Sequence, residues 1–307
     1  MYNIKKLWGD IVRQDKLFEL IMDTAKNDSR IRAVAMTGSR IDPNAAHDEF
    51  CDFDIVYLVT DIQSFTGNDE WLDIFGDKLI MQKPSDMYTM PYNYADFENF
   101  TYLIHLKDGN RIDLTLIDLK NIHDYILDKQ PRTILLDKDK IIGLNSTGAG
   151  DYFSIKPPTE EHFRDVCNEF WWMVPNIVKG LCRKQLPYVK YVMDRYAMDM
   201  LLEVLNWSIG IDSNFSVGTG KWCKYLEKHM QPEEYQEYVS IFSDGHYLDI
   251  WCKLTLLCLL FQKKATKIAG HFDFTYDEMR ANEILQYANN MKCKYFGVEC
   301  VNKSVKE

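Results

Sequence analysis

No two of the eight cysteines stand at C-x-x-C spacing, and none has a histidine at zinc-finger distance, so neither a zinc ribbon nor a dithiol redox pair is encoded. The thiols are expected to be reduced and buried. Long hydrophobic runs are also missing. The longest, residues 254–261, is far too short to span a bilayer, and Lys5 and Lys6 are not followed by the apolar stretch of a secretory leader. These absences predict a cytoplasmic chain with no membrane partner. Basic residues are scarce, with 36 Lys and Arg against 46 Asp and Glu, and the deficit sits at the front: residues 1–150 hold 17 against 25, a net of −8. Nucleic-acid affinity comes largely from Lys and Arg that neutralise phosphates, so a nucleic-acid partner is not expected; a cationic one fits better, unless the negative charge merely maintains solubility.

The 307 residues exceed the size at which single cores usually stop growing, and 46% apolar with 27% charged residues is ordinary globular composition. Two domains are expected, at residues 1–150 and 151–295, with a tail at 296–307. The first reads as mixed: a helix over 11–25, strands over 31–36 and 53–60, a short helix over 69–75, a strand over 79–81 and an irregular loop over 84–99. A polar loop with Pro43, Asn44 and His47 follows the first strand. Residues 102–106 and 111–117 flank an Asp108-Gly109 turn and predict an antiparallel hairpin. Beyond Pro157-Pro158, Thr159 is placed to cap a helix carrying Phe163, Val166, Phe170, Met173 and Ile177 at helical spacing. Further helices are expected over 188–209, 221–230, 232–242, 248–269 and 276–291. The fold class is therefore α+β, strands and helices in the first half followed by a helical domain.

Chemistry concentrates on three carboxylates. Strand side chains alternate, so Asp52 and Asp54 share one face while Phe53 and Ile55 take the other. Asp113 lies opposite the core-facing Ile112 and Leu114, together with Thr115. If its strand runs beside the first, three acids converge, as two-metal phosphoryl transfer requires. A D-x-D pair alone is by default a solvated loop pair. Gly38-Ser39, separated from Asp52 by twelve residues, would let backbone approach a phosphate closely, with the Ser39 hydroxyl and nearby N–H groups holding its oxygens. Arg40 would grip a further phosphate or form a surface ion pair. Residues 217–222 imitate a P-loop, but Phe215 stands where its first glycine belongs and Trp222 replaces its Ser or Thr. His105 borders the acids on the hairpin without a nucleophile beside it.

Gly38-Ser39, Asp52-Phe53-Asp54 and the single acid Asp113 together resemble the polymerase β-like nucleotidyltransferase pattern. Longer strings resemble the aminoglycoside 6-adenylyltransferases that inactivate streptomycin: Thr37-Gly38-Ser39-Arg40, residues 70–76, 81–84 and 108–116, and Asn168-Glu169-Phe170-Trp171-Trp172 with Lys179-Gly180-Leu181. The likeness spans about residues 15–285. It implies a nucleotidyltransferase domain built on a mixed sheet with flanking helices, followed by a helical-bundle substrate-binding domain, and transfer of AMP from ATP, with two Mg²⁺, to a streptomycin hydroxyl with release of pyrophosphate. It implies Asp52, Asp54 and Asp113 as metal ligands, with Asp113 helping to deprotonate the acceptor, and Gly38, Ser39 and Arg40 as triphosphate contacts. Lys179 and Lys221 are the helical domain's candidates for phosphate. Glu169 would meet a cation, and Trp171 and Trp172 would stack on guanidinium groups or pack the helix core. The rival readings are an enzyme of this fold acting on an RNA end, a protein or another small molecule, and a chain that only sequesters its ligand.

Overall fold

The computed structural model describes residues 4–42, 45, 48–87, 98–142 and 152–297. Pro43, Asn44 and His47, residues 88–97 of the expected irregular loop, Cys300 and the rest of the tail from 298 onward lie outside the described residues. The strands are β1 (Ile31–Met36), β2 (Phe53–Val59), β3 (Lys78–Gln82), β4 (Asn99–Leu106), β5 (Arg111–Asp118) and β6 (Thr133–Asp137). The helices are α1 (Ile4–Asn27), α2 (Gln63–Thr66), α3 (Ile122–Leu127), α4 (Glu160–Cys182), α5 (Leu186–Tyr191), α6 (Met198–Asp212), α7 (Leu226–His229), α8 (Pro232–Val239), α9 (Tyr247–Phe272) and α10 (Glu278–Phe296). The chain divides into two compact units, Met1–Tyr152 and Phe153–Glu307. No helix among the described residues is long and apolar enough to cross a membrane.

The first unit is a six-stranded sheet in the order β3-β4-β5-β2-β1-β6. Every neighbouring pair is antiparallel except β2 and β5, which run parallel in the register Phe53↔Ile112, Asp54↔Asp113, Ile55↔Leu114. Period-two alternation gives the sheet two apolar faces. On one, Phe53, Ile55, Tyr57, Ile112 and Leu114 pack with Leu17, Ile21 and Ala25 of α1 and with Phe65, Leu72 and Phe75. Each such side chain, fully buried, is worth about 1.5–3 kcal/mol against exposure. The Tyr57 hydroxyl, buried among them, donates to the Ile21 carbonyl at 2.6 Å and so is not left unpaired. On the other face Ala33, Ala35, Val56, Leu58 and Ile117 gather with Tyr125 and Ile134. Asp54 and Asp113 share this second face, so it passes from acid at the strand starts to apolar at their ends. The β4–β5 turn is closed by Gly109 at φ +95° and by the Asp108 carboxylate, which accepts from the Asn110 N–H at 3.0 Å.

Several expectations needed correction. Residues 70–75 form a 3₁₀ helix, stopped by Gly76 at φ +123°. β6 has no counterpart in the sequence reading, because a mostly half-buried edge strand carries little alternation. The expected helix over 221–230 is only a 3₁₀ turn at Lys221–Cys223 followed by α7, since Trp222 and Cys223 adopt left-handed backbone at φ 55° and 59°. Among the described cysteines Cys51, Cys167, Cys182, Cys223, Cys252 and Cys258 are free thiols, whereas Cys293 is disulfide-bonded, a bond for which the cysteine spacing has no signature.

The second unit is helical. The Thr159 hydroxyl accepts from the His162 N–H at 3.2 Å and caps α4, with Glu160 and Glu161 in the first turn favouring its dipole. One side of α4 supplies Phe163, Val166, Phe170, Val174 and Ile177 to a core shared with α6 and α9, where the Phe170 and Phe261 rings stack 3.6 Å apart. α5 runs through a π-helical turn, Val192–Ala197, directly into α6. Lys264 of α9, almost fully buried, donates to Glu234 of α8 at 2.6 Å, which satisfies a charge that burial would otherwise penalise heavily.

Candidate active site

The parallel pairing of β2 with β5 decides the geometry. Asp54 is the register partner of Asp113, and Asp52, just ahead of β2, lies 3.5 Å from Arg111, two residues before Asp113. Two columns result, Asp52 and Asp54 on the β2 side and Arg111 and Asp113 on the β5 side, forming a square with three negative corners and one positive. The adjacency on which convergence of the acids depends is therefore present. Arg111 forks onto Asp113, its Nε donating to Oδ1 and its Nη2 to Oδ2, both at 2.7 Å. Its Nη1 lies 3.5 Å from Asp52 Oδ2. Burial pushes the Asp52 carboxyl above the usual carboxylate range; the Arg111 charge pulls it back, Asp113 raises it again, and His105 and Arg40 lower it. His105 owes its influence to register, since it pairs across the hairpin with Arg111.

Backbone from the loop after β1 closes one side. The Thr37 N–H donates to the Asp54 carbonyl at 2.9 Å and Gly38 opens a 3₁₀ turn, Gly38–Ile41, at φ +71°. A Cβ at Gly38 would overlap Oδ2 of Asp54 and stand 2.5 Å from its Cγ, so only glycine fits this approach. The Ser39 hydroxyl lies 3.8 Å from the Cys51 sulfur. Arg40 donates from Nε to the Asp52 carbonyl and from Nη2 to the Cys51 carbonyl, both at 2.9 Å, with its guanidinium 3.7 Å over the Phe53 ring. Arg40 thus orders the entry to β2.

As a donor set, three carboxylates against a tight backbone turn suit a hard divalent cation, which takes oxygen ligands. The Arg111 guanidinium already sets a positive charge against two of them, Asp113 and Asp52. Among the described residues no three His, Cys, Asp or Glu side chains are grouped so that they could hold a metal ion, and Arg111 is forked onto Asp113.

The remaining candidates lie in the helical unit. Trp171 is 6% exposed, packs edge-on against Phe170 and Phe261, and its Nε1 donates to the Tyr276 hydroxyl at 3.1 Å: it takes the core-packing place. Trp172, one helical step on, is 67% exposed. Glu169 is half-buried. Lys179 is exposed and donates to Asn176 at 3.3 Å, and Lys221 sits 4.4 Å over the ring of Trp222. Arg111 had no role in the sequence reading, although an R-x-D on one strand already puts both side chains on one face.

A family model described as streptomycin adenylyltransferase matches residues 12–291. The chain belongs to that family. The aminoglycoside 6-adenylyltransferase of Bacillus subtilis (strain 168) is 34% identical over 281 residues, covering 91% of this chain and 98% of that protein. One from Campylobacter jejuni is 35% identical over 290 residues, covering 94% and 99%. A crystal structure of an aminoglycoside 6-adenyltransferase from Bacillus subtilis aligns with 90% of this chain and 97% of that one, at 33% identity and a TM-score of 0.46. This family member is a nucleotidyltransferase.

Proposed function

We propose that the chain transfers AMP from ATP to the 6-hydroxyl of streptomycin, releasing pyrophosphate. The observation that carries this reading is the parallel register of β2 and β5, which sets Asp54 beside Asp113 on the face that also takes Asp52. Asp52, Asp54 and Asp113 would hold the divalent cation, Mg²⁺ in two copies. When bound, the metal supplies charge neutralisation of the leaving pyrophosphate and activation of the acceptor hydroxyl. Gly38 and Ser39 are assigned to the triphosphate because their backbone already lies against the acid face. Asp113 is assigned the acceptor's proton, which its carboxylate takes as the hydroxyl oxygen attacks the α-phosphorus. In the helical unit, Glu169 and the exposed Trp172 are assigned to the cationic acceptor, by charge and by cation–π contact.

Incubation with ATP, Mg²⁺ and streptomycin, scored for pyrophosphate and for adenylylated antibiotic, tests the reading. Asp52→Asn and Asp54→Asn are expected to abolish transfer, and Asp113→Asn to slow it at least about 100-fold. Near-normal turnover in any of the three, with the fold intact by circular dichroism, overturns the site assignment. Pyrophosphate release with an RNA end and none with an aminoglycoside overturns the acceptor.

A further inference from the structure

Within the site just assigned, and resting on that assignment, we propose that Arg111 is a built-in counterion: it takes the divalent cation's place among the carboxylates until the cation arrives, and the cation must displace it to bind. Three features carry the inference. The first is position. Alternation and the β2–β5 register leave the Arg111 side chain no face but that of the acids, level with Asp52 and next to Asp113. The second is occupancy. Its Nε and Nη2 span both oxygens of Asp113 at 2.7 Å while Nη1 faces Asp52 Oδ2 at 3.5 Å, so a single planar cation reaches two of the three acids. The third is depth. The side chains of Arg111, Asp113 and Asp52 are 31%, 20% and 36% exposed, enough burial for mutual attraction to be screened less than on an open surface.

Three carboxylates gathered on one face repel one another unless a positive charge stands among them. Arg111 meets that need without an ion. The same contacts set a barrier: a metal that draws on Asp113 competes with a bidentate guanidinium, and Asp113 cannot act freely as base while Arg111 spans it. Displacement therefore couples cation entry to release of the base. Arginine suits the part because its planar fork matches a carboxylate, whereas lysine offers only a point charge. Cation binding by the nucleotide-free enzyme is consequently weak, and Arg111 is a positioning residue for Asp113 and not itself a catalytic one.

The test is direct binding of Mn²⁺ to the full chain without nucleotide, followed by the paramagnetic resonance of free Mn²⁺, together with thermal unfolding in EDTA. Arg111→Met, which keeps the stem and drops the charge, is expected to bind Mn²⁺ at least ten-fold more tightly than wild type, to unfold at a lower temperature in EDTA, and to recover more of that loss on adding Mn²⁺ than wild type gains. Arg111→Lys should fall between the two, and it stands in if the methionine variant does not fold. Asp113→Asn is expected to lose Mn²⁺ affinity. Unchanged or weaker Mn²⁺ binding in a folded Arg111→Met or Arg111→Lys, with binding lost in Asp113→Asn, overturns the counterion while leaving the metal site standing. Unchanged binding in Asp113→Asn as well removes both.

Discussion

Replacing Gly38 with alanine isolates the contact between backbone and acid on which the site depends. Two costs add. Left-handed backbone at φ +71° costs a residue with a Cβ about 1–2 kcal/mol. In addition the new methyl would stand 2.5 Å from Asp54 Cγ, where ordinary carbon contacts are about 3.5 Å, so the carboxylate must withdraw by about 1 Å. A shift of that size in a reacting group lowers turnover by roughly 100-fold. Gly109 supplies the control. It has φ +95° in the β4–β5 turn, but a Cβ there meets nothing within 4 Å, so Gly109→Ala carries the backbone cost alone. Urea unfolding followed by circular dichroism should give the larger stability loss for Gly38→Ala, and pyrophosphate release should fall only in that variant. Wild-type turnover by Gly38→Ala would show that the Asp54 carboxylate is not held where transfer needs it, and the reasoning would fail.

The adjacent tryptophans should separate cleanly: Trp171→Ala, which empties a core position and strips the Tyr276 hydroxyl of its donor, is expected to cost about 3–5 kcal/mol in urea unfolding. Trp172→Ala should change stability by less than about 0.5 kcal/mol and instead raise the KM for streptomycin. Asp52 gives a pH signature. Its folded-state carboxyl is raised, chiefly by burial, so the native chain binds the proton more tightly than the unfolded one; the associated stability is complete at low pH and is lost as pH rises through the raised value. Unfolding in EDTA between about pH 4 and 7 should show that loss in wild type and not in Asp52→Asn, which should be the more stable protein at neutral pH and inactive. An identical slope in the two would remove Asp52 as its source.

The strands bearing the acids were legible because period-two alternation is local: Phe53 and Ile55 point one way, so Asp52 and Asp54 must point the other. Their adjacency to Asp113 was not, since the β2–β5 pairing joins distant segments and no local pattern chooses a strand's neighbour. The same limit hid Arg111, whose significance lies in Asp52 across the register and not in its own surroundings. Helical spacing gave α4 its buried side, yet it could not separate Trp171 from Trp172 because a 100° step moves a ring from core to solvent and both rings suit either place. Trp222 and Cys223 broke an expected helix through left-handed backbone that non-glycine residues seldom signal.

The one parallel pairing in an otherwise antiparallel sheet also has a kinetic meaning. β4 and β5 are joined by a four-residue turn and can zip early, whereas Phe53 meets Ile112 only after the intervening chain has been brought back, at the entropic cost of closing a long loop. The acid square cannot precede that closure. An intermediate with its β4–β5 hairpin formed but β2 undocked would have near-native local structure there while Asp54 still lay apart from Asp113.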